Sequence, residues 1–102
     1  MSKVYSIKEL QELVSPIAAN YGVENVYLFG SYARGEAGEK SDIDLRIDKG
    51  ALRGYIELSG FELDLESVLG AAVEVMTTGG LSDSFLRNIA NEEVLLYETA
   101  GH

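Results

Sequence analysis

The side chains best equipped for chemistry in this chain fall within residues 30–44. Gly30-Ser31 directly follows the apolar run Val26-Tyr27-Leu28-Phe29, where a strand has to turn sharply and expose its backbone N–H groups. Exposed amides beside a serine hydroxyl suit phosphate oxygens. Ten residues later comes Asp42-Ile43-Asp44. Residues two apart on a strand project to the same side, about 7 Å apart at Cα. Carboxylate oxygens at that spacing suit a pair of magnesium ions ~3.5–4 Å apart, the arrangement used for in-line displacement at phosphorus. The plain alternative is an ordinary turn followed by a surface strand with solvated acids. Aspartate is depleted in strands because it offers the backbone competing hydrogen bonds. From average residue usage, a Gly-Ser pair with Asp-x-Asp ten residues on arises by chance in about one chain of this length in several hundred. Both points favour the functional reading.

The elements that position these residues read as a small α/β domain. Ser6-Ile7-Lys8-Glu9 fits a capping box, and Ile7, Leu10, Leu13, Val14, Ile17, Ala18 and Tyr21 then recur at helical spacing up to a stop at Gly22. Pro16 is expected to kink or divide that helix. A buried strand over 26–29 leads into a loop over 30–41 with room for one helical turn. Residues 42–48 alternate strictly: Ile43, Leu45 and Ile47 on one face, Asp42, Asp44, Arg46 and Asp48 on the other. A helix is predicted over 52–69, weakened by Gly54 and Gly60 and ended by Gly70. A third strand follows at 72–76, with Glu74 pointing away from Val73 and Val75. Ser82 can cap a last helix through Phe85, Leu86 and Ile89, and residues 94–97 close as an extended segment. The implied architecture is a short sheet with helices over one face and the acid-bearing face left open.

Composition bounds the rest. The chain has 102 residues, which suits one domain spanning 1–102, and its 17 acidic against 8 basic residues give a net charge of −9. That balance argues against direct nucleic-acid binding, which draws its affinity from Lys and Arg on phosphates. It also repels a triphosphate unless divalent cations reverse the local field; the alternative is that the charge only keeps the chain soluble. There is no cysteine, which removes thiol catalysis, disulfides and thiolate metal sites. No membrane span and no leader sequence is recognisable, so a cytoplasmic location is expected.

The run Gly30-Ser31, ten residues, Asp42-x-Asp44 resembles the signature of the polymerase-β-like nucleotidyltransferase superfamily. With Ala33-Arg34-Gly35 and Ser41-Asp42-Ile43-Asp44-Leu45 around it, the chain looks like a minimal nucleotidyltransferase, a single small domain. The resemblance covers nearly the whole chain, from the first helix to Val94-Leu95-Leu96-Tyr97. It implies a mixed sheet with helices on one face. It also implies ATP as substrate and magnesium, in two ions, held by Asp42, Asp44 and a third carboxylate from the neighbouring strand. Glu74 occupies that third place, where minimal members usually carry aspartate. Glutamate is one methylene longer and ligates oxygen-seeking cations equally well. Asp42, Asp44 and Glu74 are thus the candidate catalytic and metal-binding set, and Gly30, Ser31, Arg34 and Ser41 the candidate nucleotide contacts.

Further, the resemblance implies the antitoxin of a two-protein system. Its partner would be a HEPN ribonuclease toxin, a tyrosine of which receives AMP. The alternatives are nucleotidylation of a small molecule such as an aminoglycoside, and neutralisation of a partner by binding alone. Around the core set, several residues have two readings. Arg34 either meets triphosphate oxygens or pairs with Glu36 or Glu39. Ser41 either orients Asp42 or ends the loop. Tyr32 either stacks on a base or packs, and Arg46 and Asp48 are placed to pair with each other. Lys40 reads as a solvated cation. His102, at the chain end, is a poor candidate for catalysis.

Overall fold

The structure, a computed structural model, describes residues 3–99. Helix α1 (Ile7–Tyr21) starts at a complete capping box: Ser6 Oγ accepts the Glu9 N–H at 3.1 Å, and the Glu9 carboxylate accepts the Ser6 N–H at 2.9 Å. Gly22, at φ +72°, ends it. Of the two outcomes expected at Pro16, division does not occur: the helix runs unbroken through it. A proline withdraws one donor and frees the carbonyl four residues back. Here both Pro16 and Glu12 lie on the exposed side, where water meets that carbonyl, while Leu10, Val14 and Ala18 anchor the buried side.

The remaining elements are β1 (Asn25–Phe29), α2 (Gly30–Ala33), β2 (Ile43–Asp48), α3 (Gly54–Leu69), β3 (Val73–Thr77), a 3-10 turn (Thr78–Gly80), α4 (Asp83–Ile89) and β4 (Val94–Glu98). They build one mixed sheet in the order β3-β2-β1-β4. Strand β1 runs antiparallel to both β2 and β4, whereas β2 and β3 are parallel, with α3 as their crossover. Among the described residues no helix is long and apolar enough to cross a membrane.

The core fixes which face of β2 is which. Ile43, Leu45 and Ile47 are fully buried with Val26 and Leu28 of β1, beneath Leu10 and Val14 of α1 and Phe61 and Leu65 of α3. Burial of each such side chain stabilises by about 1.5–3 kcal/mol. A one-residue slip of β2 would exchange these three for its charged residues, so the register is strongly held. Helix α3 begins two residues after the periodicity suggests, because Gly54 sits at φ +63° behind a turn in which the Leu52 N–H donates to the Lys49 carbonyl at 2.9 Å. Gly60 lets α1 approach: a Cβ there would stand 3.0 Å from Tyr21 Oη, whose hydroxyl donates to Asp64 at 2.7 Å. The outer side of α3 leaves Tyr55, Ile56 and Leu63 86%, 89% and 63% exposed.

Candidate active site

The sheet register lays out the open face in rows. Phe29, Asp44 and Glu74 form one row across β1, β2 and β3, and Tyr27, Arg46 and Met76 form the next. Asp44 and Glu74, thirty residues apart in sequence, are direct neighbours because β2 and β3 pair in parallel. Asp42 lies one residue before β2, not inside it as the alternation suggested. The ladder opens only at Ile43, whose N–H donates to the Ala72 carbonyl at 2.9 Å. Asp42 and Glu74 are exposed, and Asp44 is partly buried between them and β1.

Gly30 brings the turn onto Asp44. It leaves β1 at φ +77°, a conformation that glycine adopts without strain. A Cβ at this position would stand 2.3 Å from Asp44 Oδ2. Any side chain there would force the Asp44 carboxylate to shift, so the backbone of the turn and the carboxylate are in direct apposition. The single helical turn α2 follows, and the Ser31 hydroxyl has no hydrogen-bond partner among the described residues.

Asp42, Asp44 and Glu74 enter no ion pair or side-chain hydrogen bond among the described residues, so their oxygens are uncommitted. Burial pushes the Asp44 carboxyl above its ordinary range, the charges of Glu74, Asp42 and Glu92 push the same way, and Arg34 partly offsets them. As the side chains stand, no three Asp, Glu, His or Cys residues among those described enclose a metal position. The chemistry of the donors nevertheless fits a hard divalent cation: three adjacent, unpaired carboxylates, one of which resists carrying its charge alone.

The other sequence candidates divide. Arg34 pairs with Glu36 at 3.0 Å and Glu92 at 3.3 Å, the pairing alternative, although Glu92 was not foreseen as its partner. The Ser41 hydroxyl accepts the Gly38 N–H at 2.8 Å, closing the loop and leaving Asp42 alone. Tyr32 is 5% exposed and packs in the core, where no base can stack on it. Lys40 is exposed, and His102 lies outside the described residues. Arg46 does approach Asp48, at 3.6 Å, but its main partner is Glu93, met at 2.5 and 2.9 Å, while its guanidinium stacks on Tyr27 at 4.2 Å. Thr78 completes this group, accepting from Arg46 and donating to Asp48, both at 2.7 Å.

Glu92 and Glu93 escaped the sequence reading. Their only local signal is an acidic doublet at the start of a strand; what they touch lies 62 and 47 residues away.

Comparison with known proteins shows the family and the fold. Residues 11–101 match the polymerase beta nucleotidyltransferase domain. A Methanocaldococcus jannaschii protein provisionally named a protein adenylyltransferase is 36% identical over 89 residues, covering 87% of this chain and 96% of its own. The protein adenylyltransferase MntA of Thermococcus cleftensis is 32% identical over 87 residues, covering 85% and 81%. Among solved structures, a tri-AMPylated Shewanella oneidensis HEPN toxin in complex with its MNT antitoxin superposes with a TM-score of 0.70, at 18% identity over 91% of this chain and 73% of that one. A Gly-Ser turn set against an Asp-x-Asp strand is what the sheet was found to carry, and with the match extending over nearly its full length this chain belongs to the polymerase-β-type nucleotidyltransferase family.

Proposed function

We propose that this nucleotidyltransferase moves AMP from ATP onto a tyrosine hydroxyl of a HEPN ribonuclease toxin, and so acts as its antitoxin. The apposition of Gly30 and Asp44 carries the reading: a backbone turn suited to phosphate meets a carboxylate that has no partner of its own. The relatives' naming as protein adenylyltransferases and the AMPylated toxin complex of the structural neighbour support the acceptor class. The openness of the acid face supports it too, since Asp42 and Glu74 are exposed and stand ready for a hydroxyl brought by another molecule.

In this reading the Gly30-Ser31 turn holds phosphate oxygens through the Ser31 hydroxyl and the amides that follow Gly30, whose own N–H is taken by Glu92. Asp42, Asp44 and Glu74 would hold magnesium, which supplies charge neutralisation at the phosphates and acidifies the attacking hydroxyl. The tyrosine oxygen attacks the α-phosphorus as its proton passes to a carboxylate of this face, the role that the family resemblance gives to Glu74. The bond to the β-phosphate oxygen breaks, and pyrophosphate leaves. The chain's contribution is position and charge.

The test mixes the chain with ATP, magnesium and a candidate HEPN-type partner, and weighs the intact partner. A gain of about 329 Da per modified hydroxyl is expected for a joined AMP residue, absent with Asp42→Asn/Asp44→Asn. A partner that is inhibited while its mass stays unchanged would replace this reading with neutralisation by binding.

A further inference from the structure

Glu92 stands in the turn between α4 and β4, where the Glu92 and Glu93 N–H groups share the Ile89 carbonyl at 3.0 Å each. The two side chains then serve different parts of the open face. Glu93 engages Arg46, while Glu92 Oε2 accepts the Gly30 N–H at 2.7 Å. That amide lies beyond the end of the sheet ladder. The pairing of β1 with β4 stops at Leu28 and Val94, so no β4 carbonyl is in register to receive it. The Glu92 carboxylate takes the place of the missing ladder acceptor, with a charged oxygen at short range. It also faces the Arg34 guanidinium at 3.3 Å, and its side chain is only 23% exposed against 44% for Arg34. One carboxylate therefore ties down the residue that touches Asp44 and the only arginine in the turn segment that follows.

We infer that Glu92 is a positioning residue for nucleotidyl transfer: it clamps the Gly30 turn onto Asp44 and sets Arg34 beside it. The inference rests on the reading of Gly30 and Asp44 as the reaction site. An alanine at 92 leaves the Gly30 amide without its acceptor and Arg34 with Glu36 alone. A glutamine keeps a carbonyl oxygen for the amide while giving up the charge. The turn, not the charge, is what transfer depends on, so the two variants should separate.

Four proteins would be compared: wild type, Glu92→Ala, Glu92→Gln and Asp44→Asn, each checked for an unchanged fold by circular dichroism and melting. Transfer to the partner is measured across ATP concentrations, and exchange of the Gly30 amide proton is followed by NMR without nucleotide. Glu92→Ala should lower kcat about 10- to 100-fold, the scale of a displacement near 1 Å at a reacting centre, with little change in KM. Glu92→Gln should recover kcat to within about threefold, as expected when one hydrogen bond is kept. Gly30 exchange should be fast in the alanine variant and slow in the other three. Equal loss in both Glu92 variants, or wild-type kcat in Glu92→Ala, would overturn the inference. So would a lowered KM with kcat unchanged in both, which would mark Glu92 as a competitor of the triphosphate. Transfer that survives Asp44→Asn would instead sink the site reading itself.

Discussion

Replacing Gly30 with alanine measures how closely the turn is held against Asp44. The added Cβ would stand 2.3 Å from Asp44 Oδ2, 3.2 Å from its Cγ and 3.4 Å from its Cβ. The last is ordinary contact and the second asks for a few tenths of an ångström, but the oxygen has to retreat by about 1 Å. Forcing a short side chain off its rotamer costs about 0.5–1.5 kcal/mol. Alanine in the left-handed conformation costs about 1–2 kcal/mol more. Together these give a loss of about 1.5–3.5 kcal/mol from a total on the order of 5–15 kcal/mol. At about 4–8 °C per kcal/mol for a domain of this size, Tm should fall by roughly 6–28 °C. Only the rotamer cost involves Asp44. In an Asp44→Ala background the oxygen and Cγ are gone, so Gly30→Ala should be cheaper there by about 0.5–1.5 kcal/mol, and a double-mutant cycle isolates that coupling. Urea unfolding of the four proteins at one pH, without nucleotide, supplies the numbers. Additivity to within about 0.3 kcal/mol would refute the apposition of turn and carboxylate.

Three further outcomes are expected. Asp44 carries a raised pKa, so its folded form binds protons more tightly than the unfolded chain; ionised, it destabilises at neutral pH, and that penalty fades as pH falls through the folded value toward 3.8. Asp44→Asn should therefore stabilise the nucleotide-free chain at neutral pH, the advantage over wild type shrinking in melts taken at successively lower pH. Magnesium with ATP should raise the wild-type Tm by mass action, about 2.7 kcal/mol at a hundredfold excess over Kd, and leave Asp42→Asn/Asp44→Asn unmoved; calorimetry showing equal binding by both would reassign the metal site. Ser31→Leu should reduce transfer far more than Lys40→Ala, since only the first intrudes on the turn, and comparable losses would speak against phosphate held there.

The parts of this site that read correctly from sequence are those whose signal is local. The capping box at Ser6 needs four residues, and the face of β2 that carries Asp44 follows from alternation over six. Gly30 and Ser31 declare themselves as a turn because glycine after an apolar run has few other uses. What stayed hidden depends on strand order. The pairing of Asp44 with Glu74 follows from the parallel match of β2 and β3, which alternation within either strand does not reveal; family resemblance pointed to Glu74 instead. Glu92 and Glu93 act only because β4 returns to β1, and their partners could not be told from solvated acids beforehand. Tyr32 went to the core because α2, packed against β2 and β1, turns it inward, a direction that a four-residue helix leaves unmarked in sequence. Pro16 shows the converse: its local rule allowed for a divided helix, and the helix runs on undivided because the lost bond falls on the exposed side.

The outer side of α3 has a consequence for how copies of this chain meet in solution. Ile56 and Leu63, two helical turns apart, lie on one side of the helix and are largely uncovered, with Tyr55 beside them. Helix α3 has Glu57, Glu62, Asp64 and Glu66 but no lysine or arginine, and each whole chain has a net charge of −9. Two copies approaching through this surface therefore bring like charge together before their apolar residues touch. That repulsion reaches about 10 Å in 0.1 M salt and about 3 Å in 1 M, while salts such as sulfate strengthen apolar burial. Colloidal stability should thus decline with added salt, and light scattering should show association beginning there first, with Ile56→Ser/Leu63→Ser moving its onset to higher concentrations.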